Sequence, residues 1–206
     1  MTYSCAIFED LDADLAAEGR DQRPSVKSGG QASPSLNEET RSSTLSDAQD
    51  ELHDAQIRKL NYIIARAKIS SGQKVLEIGS GWGSMAILIA HRFHNTTIDT
   101  LTLSIQQQSL AQARIKEAGL EHRITVHLMD YRAMPSSWQS SFDRVISIEM
   151  IENVGTEFLT EYWRVVDWAM KKQGGVGVVQ VITIPEARTF CAPGDILTKH
   201  PHMYLA

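Results

Sequence analysis

The sequence predicts an α/β fold in which a mostly parallel sheet carries helices on both faces. Apolar runs typical of buried strands alternate with helical stretches along the chain. The segment VLEIGSGWG at residues 75–83 begins in the first of these apolar runs and continues into a glycine-rich turn. Sheets of this kind bind ligands beyond the carboxyl ends of their strands. The turn therefore predicts a ligand site at that edge of the sheet.

The first predicted element is a helix from about Asp47 to Ile69. Its apolar residues recur at helical spacing, and Ser46 or Asp47 is placed to cap its start. Strands and helices follow in the order KVLEIG (strand), SMAILIAHRF (helix), TIDTLTL (strand), IQQQSLAQARIKEAG (helix), ITVHLM (strand), FDRVISIE (strand), EFLTEYWRVVDWAMKK (helix) and GVGVVQVITI (strand). This order is typical of a doubly wound parallel sheet.

Composition divides the chain further. The stretch from about Glu18 to Asp47 is dense in Ser, Gly, Pro and charge and has almost no large apolar side chain, which predicts a flexible insertion. We therefore expect an N-terminal segment over residues 1–17, the insertion over 18–46, a ligand-binding domain over 47–194 and a divergent tail over 195–206.

The bulk composition excludes several functions. The formal charge of −5 argues against a general nucleic-acid binder, because phosphate backbones are held mainly by Lys and Arg. No run of about 18 apolar residues predicts a membrane span, so we expect a soluble, intracellular protein. Cys5 and Cys191 stand far apart and suggest no disulfide framework, and His200 and His202 lack the further ligands of a zinc site.

Two readings of the glycine turn stay open, a tight turn without a ligand and a ligand cradle. Gly79 and Gly81 allow backbone conformations that a side chain forbids. A dinucleotide fingerprint needs its third glycine at position 84, which is Ser84, whereas the third glycine here is Gly83. The next strand ends in Thr102 without the acid that a dinucleotide ribose requires, which disfavours an NAD(P)-dependent oxidoreductase.

The E-x-G-x-G-x-G spacing is similar to the first motif of S-adenosylmethionine-dependent methyltransferases. The segments YSCA, VLEIGSGWG, TLSIQQ, MDYR and FDRVISIEMIENVG stand in the order seen in the cyclopropane-fatty-acyl-phospholipid synthases and the related mycolic acid cyclopropane synthases. The chain resembles this family from Met1 to about Gly194, and its Ser-rich insertion indicates a fungal type. The resemblance implies a Rossmann-like class I methyltransferase fold and methylene transfer to unsaturated acyl chains of phospholipids.

The resemblance also implies which residues bind the cofactor S-adenosylmethionine. The residues implied around its methionine part are Glu77, Gly79, Ser80, Gly81 and Gly83, with Tyr3 and Ser4 closing over them. Those implied at its ribose are Thr102, Leu103 and Gln107, and Tyr131 is implied beside its adenine.

The family's chemistry requires a proton acceptor. An alkene that attacks a sulfonium methyl leaves a carbocation, and in the family a bicarbonate ion takes the proton that closes the ring. The resemblance implies that Glu152, Cys5, Gln180 and Ile182 surround this ion. Glu149, which ends the fourth strand, is a competing assignment for the glutamate.

The chain departs from the family in three places. Asn153 and Gln180 stand where the family usually has histidine. The family's last two strands, which supply a tyrosine to the anion site, are missing, and Tyr204 lies in a tail that does not resemble them. The alternative function is therefore a truncated, non-catalytic remnant that still binds S-adenosylmethionine. An uncovered fifth strand predicts pairing with another chain, such as a second copy.

A membrane surface is the expected place of the substrate. Arg58, Lys59, Arg66 and Lys68 stand beside the apolar stripe of the first helix. This pattern predicts either contact with anionic lipid or a solvated face on a core-packed helix. We expect a cytoplasmic protein that is peripheral at membranes.

Overall fold

The computed structural model describes residues 4–9 and 38–183, with the backbone alone over residues 38–50. Its helices are α1 (Glu38–Arg66), α2 (Ser84–Arg92), α3 (Ile105–Glu117) and α4 (Leu159–Ala169). Its strands are β1 (Lys74–Ile78), β2 (Thr97–Thr102), β3 (Ile124–Leu128), β4 (Arg144–Ile148) and β5 (Val176–Gln180). Single 3-10 turns occupy Tyr131–Ala133, Ser136–Trp138, Ile151–Asn153 and Thr156–Phe158.

The five strands form one parallel sheet in the order β3-β2-β1-β4-β5. The chain runs outward from β1 through β2 to β3 and then returns to add β4 on the other side of β1. Such a reversal of strand order opens a crevice beyond the carboxyl ends of the strands. The topology therefore puts the ends of β1, β2 and β4 around one site.

The central strands form where the apolar runs predict because they are buried on both faces of the sheet. Four of the five residues of β1 are buried, and Leu76 and Ile146 at the centre of the sheet are 0% exposed. Helix α4 covers one face with residues spaced three or four apart, among them Tyr162, Val166 and Ala169, which belong to the same core cluster as Leu76.

Arg144, the first residue of β4, joins loops at the amino end of the sheet. Its guanidinium donates hydrogen bonds to the carbonyl oxygens of Lys68 at 3.0 and 3.1 Å, Asp143 at 2.7 Å and Gly174 at 2.9 Å. The side chain is 9% exposed, and every bond is charge-assisted. The loops before β1, β4 and β5 are therefore held by one side chain.

The chain divides into two compact units, one formed by Met1–Ser4 with Ile63–Ala206 and the other by Cys5–Tyr62. In the second unit the N-terminal segment bonds to α1. Ile7 N donates to Ala55 O at 3.2 Å, and the Arg58 guanidinium donates to Ile7 O at 2.6 Å and lies 3.6 Å from the Glu9 carboxylate.

The predicted start of the first helix is wrong. Helix α1 begins at Glu38, so Ser46 and Asp47 lie inside the helix, and the last part of the predicted 18–46 insertion is helical. The predicted helix end at Ile69 is also too late, since α1 ends at Arg66.

Burial along α1 corrects the predicted lipid-facing surface. Lys59 is only 2% exposed, whereas Leu52 of the apolar stripe is 47% exposed. Lys59 is therefore unavailable for lipid contact, and Arg66 and Lys68 remain exposed. No helix in the described part of the chain is both long and apolar enough to cross a bilayer.

The fifth strand is shorter than predicted. It ends at Gln180. Beyond that residue, Ile182 N donates to the Glu152 carboxylate at 2.6 Å and not to the backbone of β4. Among the described strands, β5 pairs with β4 alone and forms one edge of the sheet.

Candidate functional site

A crevice of about 490 Å³ lies at the carboxyl ends of the strands. Its walls come from the ends of β1, β2 and β4 and from the segments that follow β3 and β4. The lining residues are Ile78, Gly79, Leu101, Thr102, Leu103, Ser104, Gln107, Met129, Asp130, Tyr131, Arg132, Ile148, Glu149, Met150, Asn153, Val154 and Phe158. The crevice is thus at the edge of the sheet that the glycine turn predicted.

The first glycine of the turn lines the crevice, whereas the last one packs against a helix. Gly79 lines the crevice with φ 99°, and a Cβ there would lie 3.6 Å from the Met150 side chain. Gly83, with φ 82°, caps α2, and a Cβ on it would come within 3.2 Å of the Ala111 Cβ. Gly79 therefore leaves room beside a ligand, whereas Gly83 allows α3 to pack closely.

The middle of the turn is fixed from within. The backbone N–H groups of Gly79 and Ser80 both donate to Leu101 O, at 3.1 and 2.7 Å. Ser80 is buried, with 3% of the residue exposed, and its hydroxyl donates to Gly81 O at 3.1 Å. Ser80, Gly81 and Gly83 are not among the described residues that line the crevice.

Thr102 and Gln107 meet on the crevice wall. The Thr102 hydroxyl donates to Gln107 Oε1 at 2.7 Å and accepts from Ser104 N at 3.1 Å. Ser104 caps α3 by accepting from Gln107 N at 3.2 Å. The next residue, Leu103, also lines the crevice and is 74% exposed. These three predicted ribose-binding residues therefore share one wall.

Tyr131 lines the crevice in the segment that follows β3. Its ring stands edge-on to Tyr162, with centroids 5.6 Å apart, and burial raises its pKa. Asp130 begins this turn by accepting from Arg132 N at 2.8 Å. The Arg132 guanidinium 2.6 Å from the Asp130 carboxylate holds the pKa of that carboxyl below its usual range.

Glu149 is a crevice residue with an unusual backbone. It follows β4 with φ 48°, a left-handed conformation that costs a non-glycine residue roughly 1–2 kcal/mol. Its carboxylate accepts from Gln180 Nε2 at 2.7 Å, and its backbone N–H donates to Gln180 O at 2.9 Å. Glu149 is therefore bonded twice to Gln180 of β5 while its backbone is in the left-handed conformation.

Glu152 lies in the 3-10 turn that follows β4. Its Oε1 accepts from Ile182 N at 2.6 Å, but the residue is not among those described as lining the crevice. Its Oε2 and the Oε1 of Gln180 are buried, and neither has a hydrogen-bond partner among the described residues. The structure thus brings Glu152 to Ile182 and Glu149 to Gln180.

Glu77 lies beneath the turn in the sheet. It is 3% exposed and accepts a hydrogen bond from the Thr100 hydroxyl at 2.7 Å. Burial raises the pKa of Glu77 to about 8, although the Thr100 hydrogen bond acts to lower it. Glu77 does not appear among the described crevice-lining residues.

Of the predicted N-terminal site residues, Ser4 and Cys5 are described and Tyr3 is not. Tyr3 lies outside the described residues, as do Cys191, His200, His202 and Tyr204. Ser4 is half-buried and is not among the described crevice-lining residues. Cys5 is exposed and belongs to the other compact unit, so its approach to Glu152 stays a prediction.

Sequence reasoning missed the apolar part of the crevice. Met129, Met150, Val154 and Phe158 line it, and none was singled out. Each stands in a segment that follows a strand, so reading every residue beyond the carboxyl ends of β3 and β4 would have found them. No cluster of three or more His, Cys, Asp or Glu side chains suited to a metal occurs in the described residues.

Comparison with known proteins identifies a matching family and several methyltransferase relatives. The sequence pattern of the family described as mycolic acid cyclopropane synthetase matches residues 39–197. The chain is 35% identical over 205 residues to the tuberculostearic acid methyltransferase UfaA1 of Mycobacterium tuberculosis, covering 100% of this chain and 38% of that protein. It is 36% identical over 125 residues to the cyclopropane-fatty-acyl-phospholipid synthase of Escherichia coli, covering 61% of this chain and 30% of that protein.

Solved structures confirm the predicted Rossmann-like class I methyltransferase fold. The cyclopropane synthase MmaA2 from Mycobacterium tuberculosis matches with a TM-score of 0.62 and 22% identity over 88% of this chain and 49% of that chain. The mycolic acid cyclopropane synthase CmaA1, complexed with SAH and CTAB, matches with a TM-score of 0.59 and 20% identity over 86% of this chain and 47% of that chain. The chain therefore spans less than half the length of these four proteins.

Proposed function

The chain belongs to the mycolic acid cyclopropane synthetase family, whose members are S-adenosylmethionine-dependent methyltransferases, and we propose that it transfers a methyl carbon to an unsaturated acyl chain. One observation carries the proposal. Gly79, Thr102, Gln107 and Tyr131, which the family resemblance assigns to the cofactor, all line one crevice.

The crevice fits S-adenosylmethionine. Gly79 leaves the main chain accessible, the paired Thr102 and Gln107 side chains offer polar groups suited to ribose hydroxyls, and Tyr131 offers a partly buried ring to adenine. When bound, the cofactor supplies an electrophilic methyl group on a sulfonium. The crevice residues of this chain would hold it in place.

The apolar lining supports an acyl-chain substrate. Met129, Met150 and Val154 form an apolar wall, and methionine adapts its shape to flexible ligands. Leu103 and Phe158 are 74% and 46% exposed and also line the crevice, which supports entry of an acyl chain from a surface. We propose a phospholipid substrate, a peripheral membrane position on the cytoplasmic side, and pairing of β5 with a second copy.

The site that the family resemblance implies for bicarbonate includes Glu152, Gln180 and Ile182, whose hydrogen bonds are described. The two donors described there have carboxylate partners: Gln180 Nε2 bonds to Glu149, and Ile182 N bonds to Glu152. The two buried atoms without partners, Glu152 Oε2 and Gln180 Oε1, are acceptors. Bicarbonate carries one hydroxyl donor, from which Glu152 Oε2 would accept a hydrogen bond.

Cofactor binding is tested by calorimetric titration of the full chain with S-adenosylmethionine and, separately, with NAD. We expect heat with the former alone, and at least a tenfold weaker affinity for Gly79→Ala. Gly72→Ala is the matched control, because Gly72 has φ 82° and nothing within 4 Å of an added Cβ. An equal loss of affinity in both variants, or binding of NAD alone, overturns the cofactor assignment.

Catalysis is tested by incubating the full chain with S-adenosylmethionine and vesicles of unsaturated phospholipid. Mass analysis of the acyl chains then reports the product, and a gain of one methylene supports methyl transfer. Cofactor binding without any product supports the non-catalytic remnant instead.

A further inference from the structure

We propose that a second site, at the amino ends of β2 and β3, binds a phosphate group. A depression of about 460 Å³ lies there, and we call it the amino-end pocket; its lining residues are His94, Asn95, Thr97, His122 and Arg123. The first three belong to the start of β2 and the loop before it, and the last two stand directly before β3. None of them lines the crevice, which lies at the carboxyl ends of these parallel strands. The site is therefore separate from the proposed methyl transfer.

The amino-end pocket is lined by hydrogen-bond donors. Each of its five residues carries a side-chain donor, and none carries a carboxylate. A histidine ring keeps at least one N–H in either protonation state, and arginine offers a planar fork of donors. Guanidinium and phosphate groups pair with two parallel hydrogen bonds, and the remaining phosphate oxygens accept from other directions. Phosphate is therefore the anion that suits this set of donors.

Most of these donors are uncommitted within the described residues. The Arg123 guanidinium makes one described hydrogen bond, from Nη1 to Phe93 O at 3.1 Å. No described carboxylate pairs with it, whereas the Arg132 guanidinium lies 2.6 Å from a carboxylate. The rings of His94 and His122 are exposed and make no hydrogen bond to another described residue. In a chain of formal charge −5, an arginine without a carboxylate beside two histidines favours an anionic ligand.

The nearest carboxylate along the chain does not fill this role. Glu121 directly precedes His122, but it lines a different depression, between α3 and β3. The described residues therefore leave the negative charge at the amino-end pocket to a ligand.

Backbone hydrogen bonds fix the walls of the pocket. His94 O accepts from Gly72 N at 3.1 Å, and Arg123 O accepts from Ile98 N at 2.8 Å. The bond from the Arg123 side chain to Phe93 O then joins the loop before β3 to the loop before β2. Because the walls are held in place before a ligand arrives, less ordering opposes binding.

Titration of the full chain with inorganic phosphate tests the site, with the histidine ring C–H signals followed by NMR. Sodium chloride and sodium acetate at equal ionic strength are the comparison salts, because screening by itself changes the surroundings of exposed charges. We expect saturable shifts of the His94 and His122 signals with phosphate, and not of the signal of His53, an exposed histidine on α1. Shifts that acetate reproduces, or that do not saturate, overturn the proposal.

Variants assign the binding to these side chains. Arg123→Gln should weaken phosphate binding at least about tenfold, because a charge-assisted hydrogen bond is lost. His122→Ala should weaken it about fivefold, and it removes an exposed ring that makes no described hydrogen bond, so the fold is kept. His53→Ala is the matched control and should bind phosphate as the wild type does. Wild-type affinity in His122→Ala overturns the proposal even where Arg123→Gln fails to fold.

Vesicle sedimentation distinguishes the two sources of such a phosphate group. The probes are vesicles of phosphatidylcholine alone and of phosphatidylcholine with phosphatidic acid, whose head group is a phosphate monoester. With phosphate binding established, weaker binding of His122→Ala to the phosphatidic acid vesicles alone assigns the site to a lipid head group. Equal binding of wild type and His122→Ala to both vesicles assigns it to a soluble phosphate ester.

Discussion

Replacing Glu77 by glutamine should stabilise the protein, and more strongly as the pH rises. Glu77 is buried between the central strands, and its only described hydrogen bond is donated by Thr100. Burial raises its pKa from 4.5 to about 8. The fold favours the protonated Glu77 carboxyl over the carboxylate. The stability that the protonated form contributes is therefore fully present below pH 4.5 and is lost as the pH rises through 8.

The magnitude follows from the two pKa values. Relative to a side chain that stays neutral in both states, linkage makes Glu77 cost under about 1 kcal/mol at pH 5 and about 3 kcal/mol at pH 7. Glu77→Gln keeps an oxygen to accept from Thr100 and carries no charge. We therefore expect its stability advantage over the wild type to grow by about 2 kcal/mol between these pH values.

Urea unfolding at pH 5 and pH 7, followed by circular dichroism, measures the difference. Glu121→Gln is the matched control, because Glu121 is exposed and its variant should track the wild type at both pH values. An advantage of Glu77→Gln that is the same at pH 5 and pH 7 would refute the reasoning, since Glu77 would then not titrate differently in the fold.

Two further predictions concern packing and the surface. Gly83→Ala should lower the free energy of unfolding by at least about 1 kcal/mol more than Gly119→Ala. Both positions have positive φ, but only at Gly83 would the added Cβ meet a neighbour, Ala111. Equal losses in urea unfolding would contradict this. Leu103→Asp should weaken vesicle binding roughly thirtyfold, since burying an exposed leucine contributes about 2 kcal/mol, whereas Leu110→Asp, 46% exposed on α3, should not. Equal effects in a vesicle sedimentation assay would count against a membrane-facing crevice rim.

The fold was predictable because buried strands and amphipathic helices leave clear patterns in sequence. The start of α1 was missed because Ser and Thr dominate residues 40–46, and composition alone does not reveal that the backbone continues as a helix there. The exposure of Lys59 was also misjudged. Its position beside an apolar stripe fits a solvated charge and a buried amine equally well, and the structure has it 2% exposed.

The crevice was predictable only in part. Strand ends and a glycine turn placed Gly79, Thr102 and Tyr131 together, because the carboxyl ends of parallel strands share one edge of the sheet. The sequence left Glu149 and Glu152 as alternatives, since both follow β4 closely. The structure gives the two different surroundings, a left-handed backbone and a bond to Gln180 at Glu149 and a bond to Ile182 N at Glu152, which no local pattern encodes.

The Arg144 guanidinium has a consequence for how the protein opens locally. It ties carbonyl groups of the loops before β1, β4 and β5, so these loops cannot fray one at a time without leaving a buried charge unsatisfied. In native-state hydrogen exchange, amides near Lys68 and Gly174 should therefore share one opening energy despite their distance in sequence. At the carboxyl end the described loops are instead tied pairwise, as Glu149 is to Gln180 and Glu152 to Ile182, so each pair should open with its own energy.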